Sequence, residues 1–266
     1  MLGVAAAHGM VPLFGSFDYR ASPDWGELLG YDHPALNAAI ADGIQALRDV
    51  ISERADVPRG YVAGYIGPRG DAYSRGARIT ATEAEDYHAP QIAAQRAAGA
   101  DLSWAVTFNN VPEAIGVVRA ARSAGMPIAV SFTLNGTARL STGPAVHDAI
   151  SEVDAETGGG PDFYTLNCSH PDEFEPALVP GDWMHRVRGF RPNAVRMDKL
   201  ALCKLGHLED GDPVELGRQM GGLARRFPHL DIWGGCCGTD HRHAAEICRC
   251  LPVHRNSAAT ADVPAA

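Results

Sequence analysis

Short apolar runs alternate with amphipathic helical stretches along almost the whole chain, and this alternation most constrains the fold. Val11–Phe17, Tyr61–Ile66, Asp101–Thr107, Pro127–Thr133, Phe163–Asn167 and Leu230–Trp233 read as strands. Arg186–Pro192 is a weaker seventh strand, because it holds three arginines and a proline. Between them, Pro34–Val57 carries Leu36, Ile40, Ile44, Leu47 and Ile51 at helical spacing. Thr82–Ala98, Pro112–Ala124, Thr142–Ala155, Asp172–Leu178, Pro213–Arg226 and Asp240–Cys250 read as further helices. Strand followed by helix at this spacing is the pattern of right-handed βαβ units and a parallel sheet. Two architectures bury such a sheet. A doubly wound sheet usually carries a glycine fingerprint after an early strand, and none is present. A (β/α)8 barrel is therefore favoured, although it needs one strand more than the seven that can be read.

The 266 residues, 45% apolar and 21% charged, suit a soluble enzyme with a sizeable core. A net charge of −9 argues against a nucleic-acid surface or an anionic membrane as partner. No apolar run reaches the roughly 18 residues of a membrane span, and the first residues lack the basic start of a signal peptide. The expectation is one domain over residues 1–252, with a frayed tail over 253–266. Six cysteines in a chain this long do not form a disulfide scaffold, so a reducing cytoplasm is expected.

Chemistry concentrates in Gly234-Gly235-Cys236-Cys237-Gly238-Thr239. Neighbouring strand residues point to opposite faces, but flanking glycines let the backbone turn both sulfurs toward one point. A soft metal ion, zinc above all, suits paired thiolates; a vicinal disulfide or inert packing are the alternatives. A third ligand is needed, and Cys168 is the best candidate, since it too ends a strand and barrel sites gather at that face. His170, His241 and His243 compete with it, while Cys203, Cys248 and Cys250 read as incidental. Three thiolates leave one position open, the layout of a catalytic site. Such a zinc is suited to bind a fourth thiol and hold it as a nucleophile, which favours alkyl transfer onto sulfur. At the same rim, Asp240 and Thr239 read as the cap of the last helix. Asn167 could orient a substrate or a ligand loop, or serve a turn, and Arg69 could receive a carboxylate or be a solvated loop charge.

Asn167-Cys168 followed by the Gly-Gly-Cys-Cys-Gly run resembles the homocysteine S-methyltransferase family. Val62–Gly70, Tyr87–Gln91 with Gly99–Leu102, and Pro127–Thr133 are similar to other segments of that family. The resemblance runs from about Val11 to Leu251. It implies a zinc-dependent TIM barrel that methylates the thiol of L-homocysteine, with Cys168, Cys236 and Cys237 as zinc ligands. The partners implied are a small thiol and a methyl donor, either S-methylmethionine, S-adenosylmethionine or betaine. Two departures stand out. No Asp-Gly-Gly first strand precedes Val11–Phe17, so the barrel is expected to lack its first βα unit. At Ala105-Val106-Thr107, Val106 stands where many relatives have a glutamate before the threonine. Either a different thiol or a zinc-binding barrel without turnover is then open.

Overall fold

The computed structural model describes residues 1–57, 59–73 and 79–252. The expected tail therefore lies outside the described residues. The elements in order are α1 (Leu2–Ala7), β1 (Leu13–Gly15), α2 (Pro23–Leu28), α3 (His33–Ser52), β2 (Tyr61–Ile66) and α4 (Ala81–Ala97). Then come β3 (Leu102–Phe108), α5 (Val111–Ala124), β4 (Ile128–Phe132), α6 (Val146–Thr157) and β5 (Phe163–Asn167). The chain continues with α7 (Pro171–Phe174), β6 (Val187–Arg191), α8 (Lys199–Lys204), α9 (Pro213–Arg226), β7 (Ile232–Trp233) and α10 (His241–Cys250). All seven strands found in the sequence are present, including the arginine-rich β6. The short α1, α2 and α8 were not legible. Asp172–Leu178 shrinks to α7 and a 3₁₀ turn over Glu175–Ala177.

The seven strands pair in parallel in chain order, from β1 beside β2 to β6 beside β7. No pairing joins β7 to β1 among the described residues. The architecture is a curled half-barrel, consistent with a TIM-like barrel lacking one unit, and not a closed barrel. Alternation assigns the two faces. On β3, Trp104 and Val106 point inward and meet Ala63, Ala129, Leu13, Phe163 and Ile232. The neighbouring Ser103 faces α4, where its hydroxyl donates to Gln95 Oε1 at 2.6 Å. Outside, α5 and α6 cover the sheet through a continuous apolar layer that includes Ile115, Val118, Ile150, Val153, Phe132 and Leu166. Burying parallel strands on both faces needs this double cover.

Local signals set the helix ends. Thr80 and Glu83 form a reciprocal cap at α4. Gly125 closes α5 at φ 64, a left-handed conformation that glycine adopts without a Cβ clash. The seam between β1 and β7 is flanked by a cavity of about 310 Å³, lined by Val4, Ala5, Leu13, Phe14, Ile232 and Trp233 among others. The helix α1 thus lies against the opening that the sequence led one to expect. It buries Leu2 and Ala5 and reduces the apolar flank that an open barrel presents.

Candidate metal centre

Three loops at the C-terminal ends of β3, β5 and β7 meet at one point. Cys168 follows β5, and Cys236 and Cys237 follow β7. Their sulfurs form a group within 4.8 Å of one another. Cys168 and Cys236 form a disulfide with Cα atoms 5.4 Å apart, and Cys168 Sγ is 4.0 Å from Cys237 Sγ. The ligands of a tetrahedral zinc, each at ~2.3 Å, sit roughly 3.8 Å apart. The three residues fit the ion in donor type, and Cys168 and Cys237 stand at about that spacing; binding the ion would require the Cys168–Cys236 bond to be reduced. Among the described residues no histidine, aspartate or glutamate joins this group.

The segment after β6 is the template that holds both cysteine loops. Cys168 N–H donates to Arg191 O at 3.1 Å, and Cys236 N–H to Pro192 O at 2.7 Å. Asn193 completes the clamp. Its Oδ1 accepts from Cys237 N–H at 3.2 Å and its Nδ2 donates to Cys168 O at 3.3 Å. Asn193 is 1% exposed, and nothing in its sequence context marked it beyond its place after a strand.

Asn167 has a comparable role from the other side. Its Oδ1 accepts from Thr107 N–H at 2.9 Å and Ser131 Oγ at 2.7 Å, and its Nδ2 donates to Thr107 Oγ1 at 3.0 Å. The same Nδ2 lies 3.9 Å from Cys236 Sγ. Two of the three non-glycine residues with positive φ among those described are here, Thr107 at 67° and Cys168 at 52°. A β-branched residue in that region is strained, and such strain clusters at functional sites. Asn167 is thus a cross-strand clamp beneath the thiols, which goes beyond a turn role.

The other expected residues separate. Arg69 donates its backbone N–H to Glu113 Oε1 at 2.6 Å, and its guanidinium lies 5.2 Å from the Tyr87 ring centroid. It does not line the cavity that contains Cys236 and Cys237. Its loop ends a strand on the same rim, but the side chain turns toward α4. His243 is fully buried, with Nδ1 on Asp240 and Nε2 on Asp210 O, and Asp240 caps α10. His170 caps α7, and burial holds it below the usual histidine range. These imidazoles are fasteners of the chain.

The electrostatics around the thiols are mixed. Burial pushes the Cys237 thiol up and the nearby Cys203 adds to this, while the Tyr73 hydroxyl and the Arg191 guanidinium pull it down. Burial also drives the Tyr73 hydroxyl well above the usual phenol range and raises that of Tyr19. They stay protonated donors at the mouth of the site. Neither Tyr73 nor Arg191 was singled out from sequence.

A half-barrel of parallel βα units with three convergent thiols on its C-terminal rim defines a barrel protein with a candidate soft-metal centre. The family model for homocysteine S-methyltransferase matches residues 15–251. The chain belongs to that family and is, by family, a methyltransferase. Among solved structures it is similar to the homocysteine methyltransferase MmuM from Escherichia coli. For the oxidized form the TM-score is 0.72 at 20% identity, covering 92% of this chain and 80% of that one. For the metallated form it is 0.68 at 19% identity, covering 92% and 82%. No curated protein matched the sequence.

Proposed function

We propose that this protein transfers a methyl group to the thiol of L-homocysteine, forming methionine, with Zn2+ held by Cys168, Cys236 and Cys237. The observation that carries this reading is the convergence of the three sulfurs within 4.8 Å at the C-terminal rim. When bound, zinc would supply the positive charge that keeps an incoming thiol as thiolate near neutral pH. The chain's own residues do the rest. The Asn193 and Asn167 clamps fix the cysteine loops before any ligand arrives, so little ordering remains at the moment of reaction. Thr107 is held beside them by Asn167 and offers its hydroxyl to substrate. The half-buried rim tyrosines, Tyr19 and Tyr73, would limit water around the nucleophile. In the transfer itself, the substrate sulfur forms a bond to the methyl carbon. The donor's bond to that carbon breaks, and its electron pair leaves with the donor.

The partners are accordingly a small thiol and a methyl donor. No helix among the described residues is long and apolar enough to cross a membrane. Three thiols that must stay reduced support placement in the cytoplasm. A second reading, zinc binding without turnover, draws on the edges of β1 and β7, which no strand joins among the described residues. The test is zinc content and methionine formation from homocysteine, measured on the reduced chain with each sulfonium or ammonium donor. Product that disappears in Cys236→Ser along with the zinc supports the first reading. Full activity in that variant refutes it, and stoichiometric zinc without product under any donor supports the second.

A further inference from the structure

The interior of the half-barrel holds a cation that has no acidic partner among the described residues. Arg191 ends β6 and its Cζ stands 5.1 Å from the ring centroids of both Tyr65 and Trp104. Its Nη1 is buried and makes no hydrogen bond, and the same is true of Trp104 Nε1. Both side chains line the seam cavity, and Arg191 also lines the cavity that contains Cys236 and Cys237. Two buried donor atoms left unpaired are costly to a fold; the half-buried guanidinium otherwise meets the Tyr65 hydroxyl and stands near the Cys237 thiol, with no carboxylate beside it among the described residues. Acids at the two cavities are already engaged. Asp231 pairs with Arg188, and Asp240 with Arg242 and His243. Val106, inward on the same strand as Trp104, is apolar and 3% exposed. The space between the thiols and these donors therefore offers an anion partner and no evident partner for an ammonium group.

We propose that Arg191, assisted by the Trp104 indole N–H, receives the carboxylate of the thiol substrate, and that the site selects an anionic thiol without requiring its ammonium group. This rests on the reading of the cysteine cluster as a thiol-methylating centre. The guanidinium stacks on two rings, so its fork is already oriented. A carboxylate placed on it makes charge-assisted bonds in a partly desolvated space, where they are strong. The competing role for Arg191 is to offset the negative charge of the cysteine sulfurs. In that case it does not distinguish one end of a substrate from another.

Binding decides between these, and thioether ligands remove any dependence on turnover. The zinc-loaded full-length protein is titrated calorimetrically with L-methionine, with its deaminated acid and with its decarboxylated amine. The expected result is that the deaminated acid binds within about threefold of methionine, while the amine binds about 100-fold more weakly, because a site built to pair a polar group rejects the ligand that lacks it. Arg191→Met then lowers both carboxylates to the level of the amine, and Arg191→Lys, which keeps the charge but not the fork, falls between. Acid and amine binding equally to wild type overturns the proposal, as does failure of both carboxylates to bind. A uniform loss for all three ligands in Arg191→Met overturns it in favour of charge compensation. If that variant melts early, the wild-type ligand series and Arg191→Lys decide alone. Acid-selective binding in a protein that makes no methionine would refute the proposed function and leave this subsite standing.

Discussion

Replacing Asn167 by alanine tests whether the cross-strand clamp holds the thiol cluster in place. The side chain is 2% exposed and makes three hydrogen bonds of 2.7 to 3.0 Å to Thr107 and Ser131, both also buried. Each buried bond contributes about 1 kcal/mol net, and a buried group left without a partner costs roughly 1–3 kcal/mol. Alanine strands the Thr107 N–H and leaves room for the Ser131 and Thr107 hydroxyls to rearrange locally, so the expected loss is about 3–5 kcal/mol. Part of that loss is offset as Thr107 and Cys168 relax from positive φ, each such residue storing about 1–3 kcal/mol. The net expectation is a destabilisation of about 2–4 kcal/mol, read as a lower urea midpoint with an unchanged slope. Because the clamp borders Cys236, zinc retention against a chelator should fall in parallel. A loss below about 1 kcal/mol, which is the scale of an ordinary surface substitution, would refute the reasoning. So would full zinc retention in a variant that is destabilised as expected.

Other expectations follow from the same geometry. Cys236→Ser should lower zinc from about one ion per chain to near none by elemental analysis, since two thiolates do not close a stable site. Alanine at Cys203, Cys248 or Cys250 should leave the zinc content unchanged. Gly189→Ala should destabilise the chain by about 1–3 kcal/mol and reduce zinc, because the new Cβ would fall on the Ile232 carbonyl of β7 and push the cysteine strand away; thermal melting and zinc analysis check both. Asp18 is buried and its carboxyl is raised above 3.8, burial being the main cause, despite bonds from Ser16, Gln95 and Tyr65. An acid raised in the fold contributes stability below its unfolded pKa and loses it as pH climbs through the folded one. Wild type should therefore lose ground to Asp18→Asn as pH rises from the ordinary carboxylate range toward neutrality, and a constant gap in melting temperature would contradict this.

The strand–helix order was legible because each element announces itself within a few residues. Apolar β-branched runs set the strands, and proline or threonine starts with glycine stops set α4 and α5. The cysteines were legible because Gly-Gly-Cys-Cys-Gly permits few geometries, and a second strand end carried the matching thiol. Elsewhere the local pattern left the outcome open. Arg69 sits in a loop after a strand, and a cation–π contact with Tyr87 holds its side chain on the helical side. His241-Arg242-His243 beside the thiols read more readily as satisfied polar side chains than as ligands. The capping geometry of Asp240 consumes one imidazole for the fold, while His241 lies exposed. Short α1 and α2 escaped notice because six residues hold too little periodicity to distinguish helix from loop.

Sequence alone, then, determined the parallel βα order, the shortage of one strand and the three thiols that the rim would bring together. These follow from side-chain chemistry and local period, which neighbours along the chain are enough to specify. Tertiary structure decided what surrounds the sulfurs. Asn193 and Asn167 became clamps, α1 came to lie against the seam, and Arg191 came to rest between two aromatic rings without an acid. Those outcomes depend on the register of strands distant in sequence. A shift of one residue would turn Arg191 out of the lumen and face its neighbours inward, and no pattern within a single strand records that register.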